Sequence, residues 1–222
     1  MKVTLKKNGE FFVFYKNNEL ISCLKKKPLK ASNSKHASFL KKELENKFDN
    51  DPYSVLNLSF FASNLDDVEK KEIANLIVKE LRADLILYRY FEDLKLIKIL
   101  SKNYDPYIKK FNQVFVCNLQ LITKLFVHKK LENKNKNFFE FLLNQDTFYI
   151  TALFKLVSLT KSVVLSYFFL SGNINYLKLF KLINLESKFQ QDKWGYVDEQ
   201  KKIDNDYIVT LKKISFFFKI IN

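Results

Sequence analysis

Glycine is nearly absent: three residues in 222, at positions 9, 172 and 195. Phosphate-cradling loops need closely spaced glycines so that backbone N–H groups can reach the ligand. This spacing excludes a Rossmann or Walker loop, and a G-x-S-x-G nucleophile elbow with them. Histidine is as scarce. His36 and His128 make no H-E-x-x-H motif, and Cys23 and Cys117 share no metal-ligand spacing with them. The cysteines read as buried thiols of a reducing compartment, and no metal or cofactor is expected. Neighbouring acids, Asp66 with Asp67 and Asp204 with Asp206, read as helix caps or solvated faces rather than as a catalytic pair. An enzyme is not expected.

Arginine is limited to Arg82 and Arg89, so the net charge of +14 rests on lysine. Base-edge readout favours arginine forks. The lysines are spread along the chain, densest at Lys25–Lys27 and in the stretch from His128, and read as solvated charge rather than a phosphate-tracking groove. The excess of Lys, Asn, Ile, Phe and Tyr, all with AT-rich codons, points to coding bias. A Lys-rich nucleic-acid or anionic-membrane binder is the alternative that this charge keeps open. The longest apolar run, Phe148–Leu170, could span a bilayer, but Lys155 and Lys161 in its interior would each cost about 2.5–3.5 kcal/mol there. Stable membrane insertion is not expected. Neither a secretory leader nor an Arg-rich presequence opens the sequence, so the expected location is a bacterial cytoplasm, or the mitochondrial matrix for a processed organellar protein.

What is present divides in two. Lys2–Lys6 and Glu10–Lys16 alternate as strands about Asn8-Gly9, a two-residue hairpin signal, and Asn17-Asn18 can turn the chain into a third strand, Glu19–Leu24. A basic loop, Lys25–Ser34, precedes a short amphipathic helix over Ala37–Phe48, with Leu40, Leu44 and Phe48 in register. The turn-rich Asp49–Tyr53 marks the expected boundary between a β-rich domain, 1–53, and a helical domain, 54–222. Asn64 or Asp66 caps a helix that keeps its apolar spacing through Ile73, Ile77, Leu81, Leu85 and Tyr88. A further helix, Glu92–Ser101, is expected to stop before Pro106. Val114–Phe126 fits a strand or a buried helix equally. Phe138–Leu143 is a short helix, and Tyr207, Leu211, Ile214, Phe218 and Ile221 mark a terminal one. The expected fold class is α+β: a small N-terminal antiparallel β-rich domain followed by a larger all-α domain.

The chain is organised around Thr147–Gly195, which reads as two helices joined by a short turn at Gly172. In the first, Thr151, Lys155, Ser158, Ser162 and Ser166 form one polar stripe for a close helix neighbour. In the second, Leu182, Glu186, Phe189 and Trp194 fall near one face, with Glu186 interrupting it.

These residues carry a resemblance. Leu185, Glu186, Phe189, Gln190, Trp194 and Gly195 match the pattern L-[DE]-E-x-[WFY]-Q-x-x-x-W-G of the ATP synthase catalytic-head assembly chaperones that attend the α subunit, known in mitochondria as assembly factor 2 and shared with α-proteobacteria. LVSLTKSVVLSYFFLSGNI resembles the family's L-V-x-L-x-G-S-L-V-L run. ADLILYRY keeps Asp84, Tyr88 and Arg89, NYDP keeps Asp105 and Pro106, and FFVFYKNNELISCLKKKPL is similar to the N-terminal family pattern. Ser187 replaces a second acid, Lys161 a small residue, and Leu44 a tryptophan. The resemblance implies a noncatalytic, monomeric chaperone that binds the unassembled ATP synthase α subunit and shields its subunit-interface surface, with no nucleic-acid partner. Glu186, Phe189, Gln190 and Trp194 are the implied partner-binding residues.

Overall fold

The computed structural model describes residues 3–46, 50–124 and 135–222, and the statements below concern these; Phe48, His128 and residues 125–126 of the ambiguous stretch lie outside them. The chain forms an α+β fold that divides into two compact units, one of residues 1–72, 145–152 and 212–222, the other of residues 73–144 and 153–211.

In the first unit β1 (Val3–Asn8) and β2 (Phe11–Lys16) pair antiparallel from Val3↔Lys16 to Asn8↔Phe11. The turn is therefore Gly9-Glu10, one residue beyond the expected pair. Gly9 at φ 60 takes the first central position, as a type II′ turn requires. Asn17 and Asn18, at φ 50 and 67, make the next turn as expected. β3 is only Glu19–Leu20, and the expected basic loop contains a fourth strand, β4 (Lys30–Ala31); both pair with β2.

α1 (Ser34–Glu45) packs on this sheet, its start capped by Asn33, whose side chain accepts from the His36 N–H at 2.9 Å. α2 (Val55–Asn64) packs against α1 and β4. His36 is wholly buried among them, edge-on to Phe148 and Phe217 with ring centroids 5.3 and 6.0 Å away. Ser59 Oγ donates to the Val55 carbonyl at 2.6 Å, so His36 Nε2–H is the donor in the 2.8 Å bond to Ser59. The Ser32 N–H in turn donates to His36 Nδ1 at 3.2 Å. The ring is thus neutral and satisfied, and burial pushes its pKa down to about 4.

α3 (Asp67–Glu80) starts from a capping box: Asp66 accepts from the Glu69 N–H at 2.9 Å, and Glu69 from the Asp66 N–H at 3.2 Å. The expected continuation to Tyr88 does not occur. Two 3₁₀ turns, Leu81–Ala83 and Leu85–Leu87, replace it, with Asp84 extended between them. The cause is a buried carboxylate that needs donors: Asp84 accepts from the N–H of Ile86 at 3.1 Å and of Val164 at 3.0 Å. Burial pushes its pKa up to about 6, with hydrogen bonds from Ser162, Val164, Ile86 and Val163 opposing.

In the second unit α4 (Leu94–Phe115) runs straight through Pro106, contrary to the expected stop. An interior proline costs about 3 kcal/mol. Here Leu96, Leu100, Tyr104, Ile108, Phe111 and Phe115 form one buried stripe on both sides of it, and at about 1.5–3 kcal/mol per large side chain that burial wins. Phe111 and Phe115 meet Phe138 of α5 (Lys136–Leu143) with centroids 5.1 and 4.8 Å apart. Beyond α4 the ambiguous stretch is neither strand nor helix. Val116 turns left-handed at φ 48, and Ile122 makes a single parallel bridge to Tyr88.

The apolar run is likewise two helices, α6 (Thr147–Thr160) and α7 (Val163–Leu170). Lys161, at φ 55, breaks it, and Ser162 caps the second piece by accepting from the Leu165 N–H at 3.1 Å. The expected stripe is lost with the break: Ser162 and Ser166 are buried, Ser166 bonding Thr160 at 2.9 Å, while Ser158 is exposed. Among the described residues no helix is long and apolar enough to cross a membrane. α8 (Tyr176–Ile183), α9 (Leu185–Trp194) and α10 (Asp198–Ile221) complete the chain.

Candidate functional site

The expected second helix of the central pair is also divided, at Asn184, so Leu182 is buried on α8 while Glu186, Phe189, Gln190 and Trp194 lie on α9. α9 buries none of its residues. It is held near its ends. At the start, Tyr104 Oη of α4 donates to the Leu182 carbonyl at 2.6 Å, fixing the end of α8 from which α9 departs. At the other end Lys193 Nζ lies 2.6 Å from Asp93, the N-cap of α4, and 4.5 Å from the centre of the Phe189 ring. Gly195, at φ 95, ends the helix with its N–H on the Gln191 carbonyl at 2.8 Å.

The four expected residues do not form one packed face. Gln190 donates to Glu186 at 3.3 Å, Phe189 is half-buried under Lys193, and Trp194 is 79 % exposed. Glu186 instead borders a cavity of about 420 Å³ with Tyr88, Tyr90, Phe91, Tyr104 and Lys124. Leu94 on the first turn of α4, and Tyr196 and Val197 beyond α9, are also exposed.

Behind the cavity Arg89 is almost fully buried. Its Nη1 donates to the carbonyls of Ile86 at 2.7 Å and Tyr88 at 2.8 Å, its Nη2 to Asp105 at 2.7 Å and its Nε to Ser101 at 3.2 Å. Its guanidinium carbon is 5.4 Å from the centre of the Tyr104 ring. Asp84, Arg89 and Asp105, three residues that carry the resemblance, are therefore joints that position the aromatic walls. Sequence reasoning missed Tyr90, Phe91 and Tyr104 as wall residues. The signal was the cluster LYRYF, whose aromatic side chains outnumber what a helix stripe would use.

Such an arrangement, an exposed helix with an acid beside an aromatic hollow, suits binding a protein surface. The architecture is the Atp12 fold. It superimposes over the whole chain on the crystal structure of Atp12 from Paracoccus denitrificans, with a TM-score of 0.81, 18 % identity and 97 % of that chain covered. An aspartate-to-lysine mutant of the same protein gives a TM-score of 0.85 at 18 % identity, with 96 % of it covered. A candidate chaperone from Agrobacterium tumefaciens gives 0.84 at 17 % identity, with 84 % covered.

In sequence the chain is homologous to the mitochondrial protein Atp12 of Schizosaccharomyces pombe, 24 % identical over 159 residues. The match takes in 69 % of this chain and 55 % of that protein, so the chain spans about half the length of the curated relative it matches. No protein-family profile matches.

Proposed function

We propose that this chain is a noncatalytic ATP synthase assembly chaperone that binds the unassembled α subunit as a monomer and shields its subunit-interface surface until the catalytic head assembles. The observation that carries the reading is α9, a helix with no buried residue that borders an aromatic cavity with Glu186 in its first turn and leaves Trp194 79 % exposed at its end. An isolated exposed apolar residue is unremarkable, but a wholly unburied helix bordering an aromatic hollow fits an interaction surface. The partner's need is equally physical, because an obligate subunit interface resembles a core cut in half and aggregates when exposed early. Likeness to Atp12 in sequence and fold supports the assignment. Glu186, Phe189, Gln190 and Trp194 are the proposed contact residues, in the matrix or cytoplasm where unassembled α subunits occur.

Co-expression with the α subunit of the same organism, followed by pull-down at moderate salt, tests this. Wild type should capture the α subunit and keep it soluble, and Glu186→Lys should lose capture while remaining folded. The net charge of +14 favours a second reading, a Lys-rich surface for nucleic acid or anionic membrane. Its signature would be affinity for polyanions that falls steeply with salt, with the α subunit ignored.

A further inference from the structure

Among the described residues Glu186 is a half-buried carboxylate without a basic partner, although the sequence has 38 lysines and arginines. Among the described residues no lysine or arginine nitrogen lies within 4.0 Å of it. Other acids of this region are paired: Asp93 with Lys193, Asp192 with Lys188, and Asp105 with Arg89. Arg89 cannot turn to Glu186, because both Nη groups and Nε already donate to Ile86, Tyr88, Asp105 and Ser101.

The cavity supplies an independent observation. Its walls include Tyr88, Tyr90, Phe91 and Tyr104, and ring faces carry negative charge density that attracts cations. Arg89 already sits against Tyr104 in that way. A volume of about 420 Å³ is too large for an ammonium group alone and admits the planar head and stem of an arginine, whose paired N–H groups match a carboxylate. Lys124 also borders the space, but it is exposed, and its long stem lets the ammonium turn to water. Glu186 has a shorter reach and is tied along α9 to Gln190.

We infer that this cavity receives an arginine side chain presented by the client protein, its guanidinium seated on the tyrosine rings and paired with Glu186. The inference rests on the chaperone reading for the client's identity, though not for the chemistry of the hollow. One acid in an aromatic hollow also gives a basic chaperone a specific foothold on its client without a broad acidic face.

Two measurements test it. The first is the affinity of the purified α subunit for wild type, Glu186→Gln, Tyr90→Ala and Lys124→Ala, each confirmed folded by circular dichroism. Glu186→Gln should weaken binding about tenfold or more, Tyr90→Ala by a similar factor, and Lys124→Ala should tighten it a few-fold. The opposite signs for the two charge variants would mean an anionic occupant. Loss with Tyr90→Ala alone would mean an apolar one, and either result overturns the inference while leaving the chaperone reading intact.

The second is an NMR titration with N-acetyl-arginine-methylamide, with the norleucine analogue as control. Shifts at Tyr90 and Glu186, absent in Glu186→Gln and with norleucine, support the cavity even if the α subunit fails to bind, in which case the client assignment falls. No shifts with the arginine probe overturn the inference.

Discussion

Helix α7 buries seven of its eight residues and helix α9 buries none of its ten, although both carry large aromatic side chains in the same unit. In α7 the polar groups close the structure. Ser162 caps its start, Ser166 bonds Thr160, and Asp84 accepts from the Val164 N–H. In α9 they run along the outside, Lys188 with Asp192 and Gln190 with Glu186. Burial stabilises α7, whereas α9 is anchored near its ends by the Tyr104–Leu182 and Lys193–Asp93 bonds. Aromatic content therefore does not decide a helix's role. What decides it is whether the polar groups are spent inward on closure or left outward beside exposed rings.

The widest break in this comparison comes from truncating one aromatic residue in each helix. Phe168, 1 % exposed in α7, packs on Tyr107 and Tyr167 with centroids 5.4 and 5.2 Å away. Phe168→Ala should cost about 3–5 kcal/mol in urea denaturation. Trp194→Ala should change stability by no more than about 0.5 kcal/mol and yet reduce α-subunit capture about tenfold. Equal stability losses would mean that α9 is part of the core.

Acid separates the buried polar groups from α9. His36 holds a folded pKa of about 4, below its ordinary 6.5, so the unfolded chain takes up the proton first. Its contribution is full above pH 6.5 and lost as pH falls towards 4, about 2 kcal/mol of it between pH 7 and 5. Asp84 has the opposite sign. With its folded pKa raised to about 6 from 3.8, its contribution is full below 3.8 and lost as pH rises through 6. Acidification from pH 7 to 5 should therefore restore about 1 kcal/mol at the start of α7. Hydrogen exchange, corrected for intrinsic rates and read at the His36 and Val164 amides in wild type, His36→Phe and Asp84→Asn, checks both signs. Amides of α9 should show neither response.

Local chemistry made much of the fold legible. The Gly9 and Asn17-Asn18 turns, the cap at Asp66, the α5 segment and the terminal helix all follow from residues acting on their own neighbours. The misreadings share a cause in distant partners. Pro106 reads as a stop because its cost is local and the stripe that offsets it is not. The helix through Tyr88 and the unbroken apolar run both fail at one joint, where Asp84 meets Val164 and the Leu85 N–H meets the Lys161 carbonyl at 2.9 Å. Of the candidate site, the α9 residues were legible as a motif. The aromatic walls were not, since Tyr90 and Tyr104 come together with Glu186 only through folding.

That joint offers the smallest and cleanest test. Lys161 stands where the resembling family has a small residue, and its φ of 55 lies in the left-handed region, where a side chain costs about 1–2 kcal/mol and glycine costs little. Its backbone does the work, the N–H donating to the Val157 carbonyl and the carbonyl accepting from Leu85, each at 2.9 Å. Lys161→Gly keeps both bonds and relieves the side chain, offset by the greater freedom of glycine in the unfolded chain. The expected result is a gain of up to about 1 kcal/mol in the urea midpoint analysis, with α-subunit binding unchanged. A loss of stability would mean that the lysine side chain itself supports α7. A change in binding without a change in stability would mean that the start of α7 and the exposed helix α9 are energetically linked, and the contrast between them would then be one of degree.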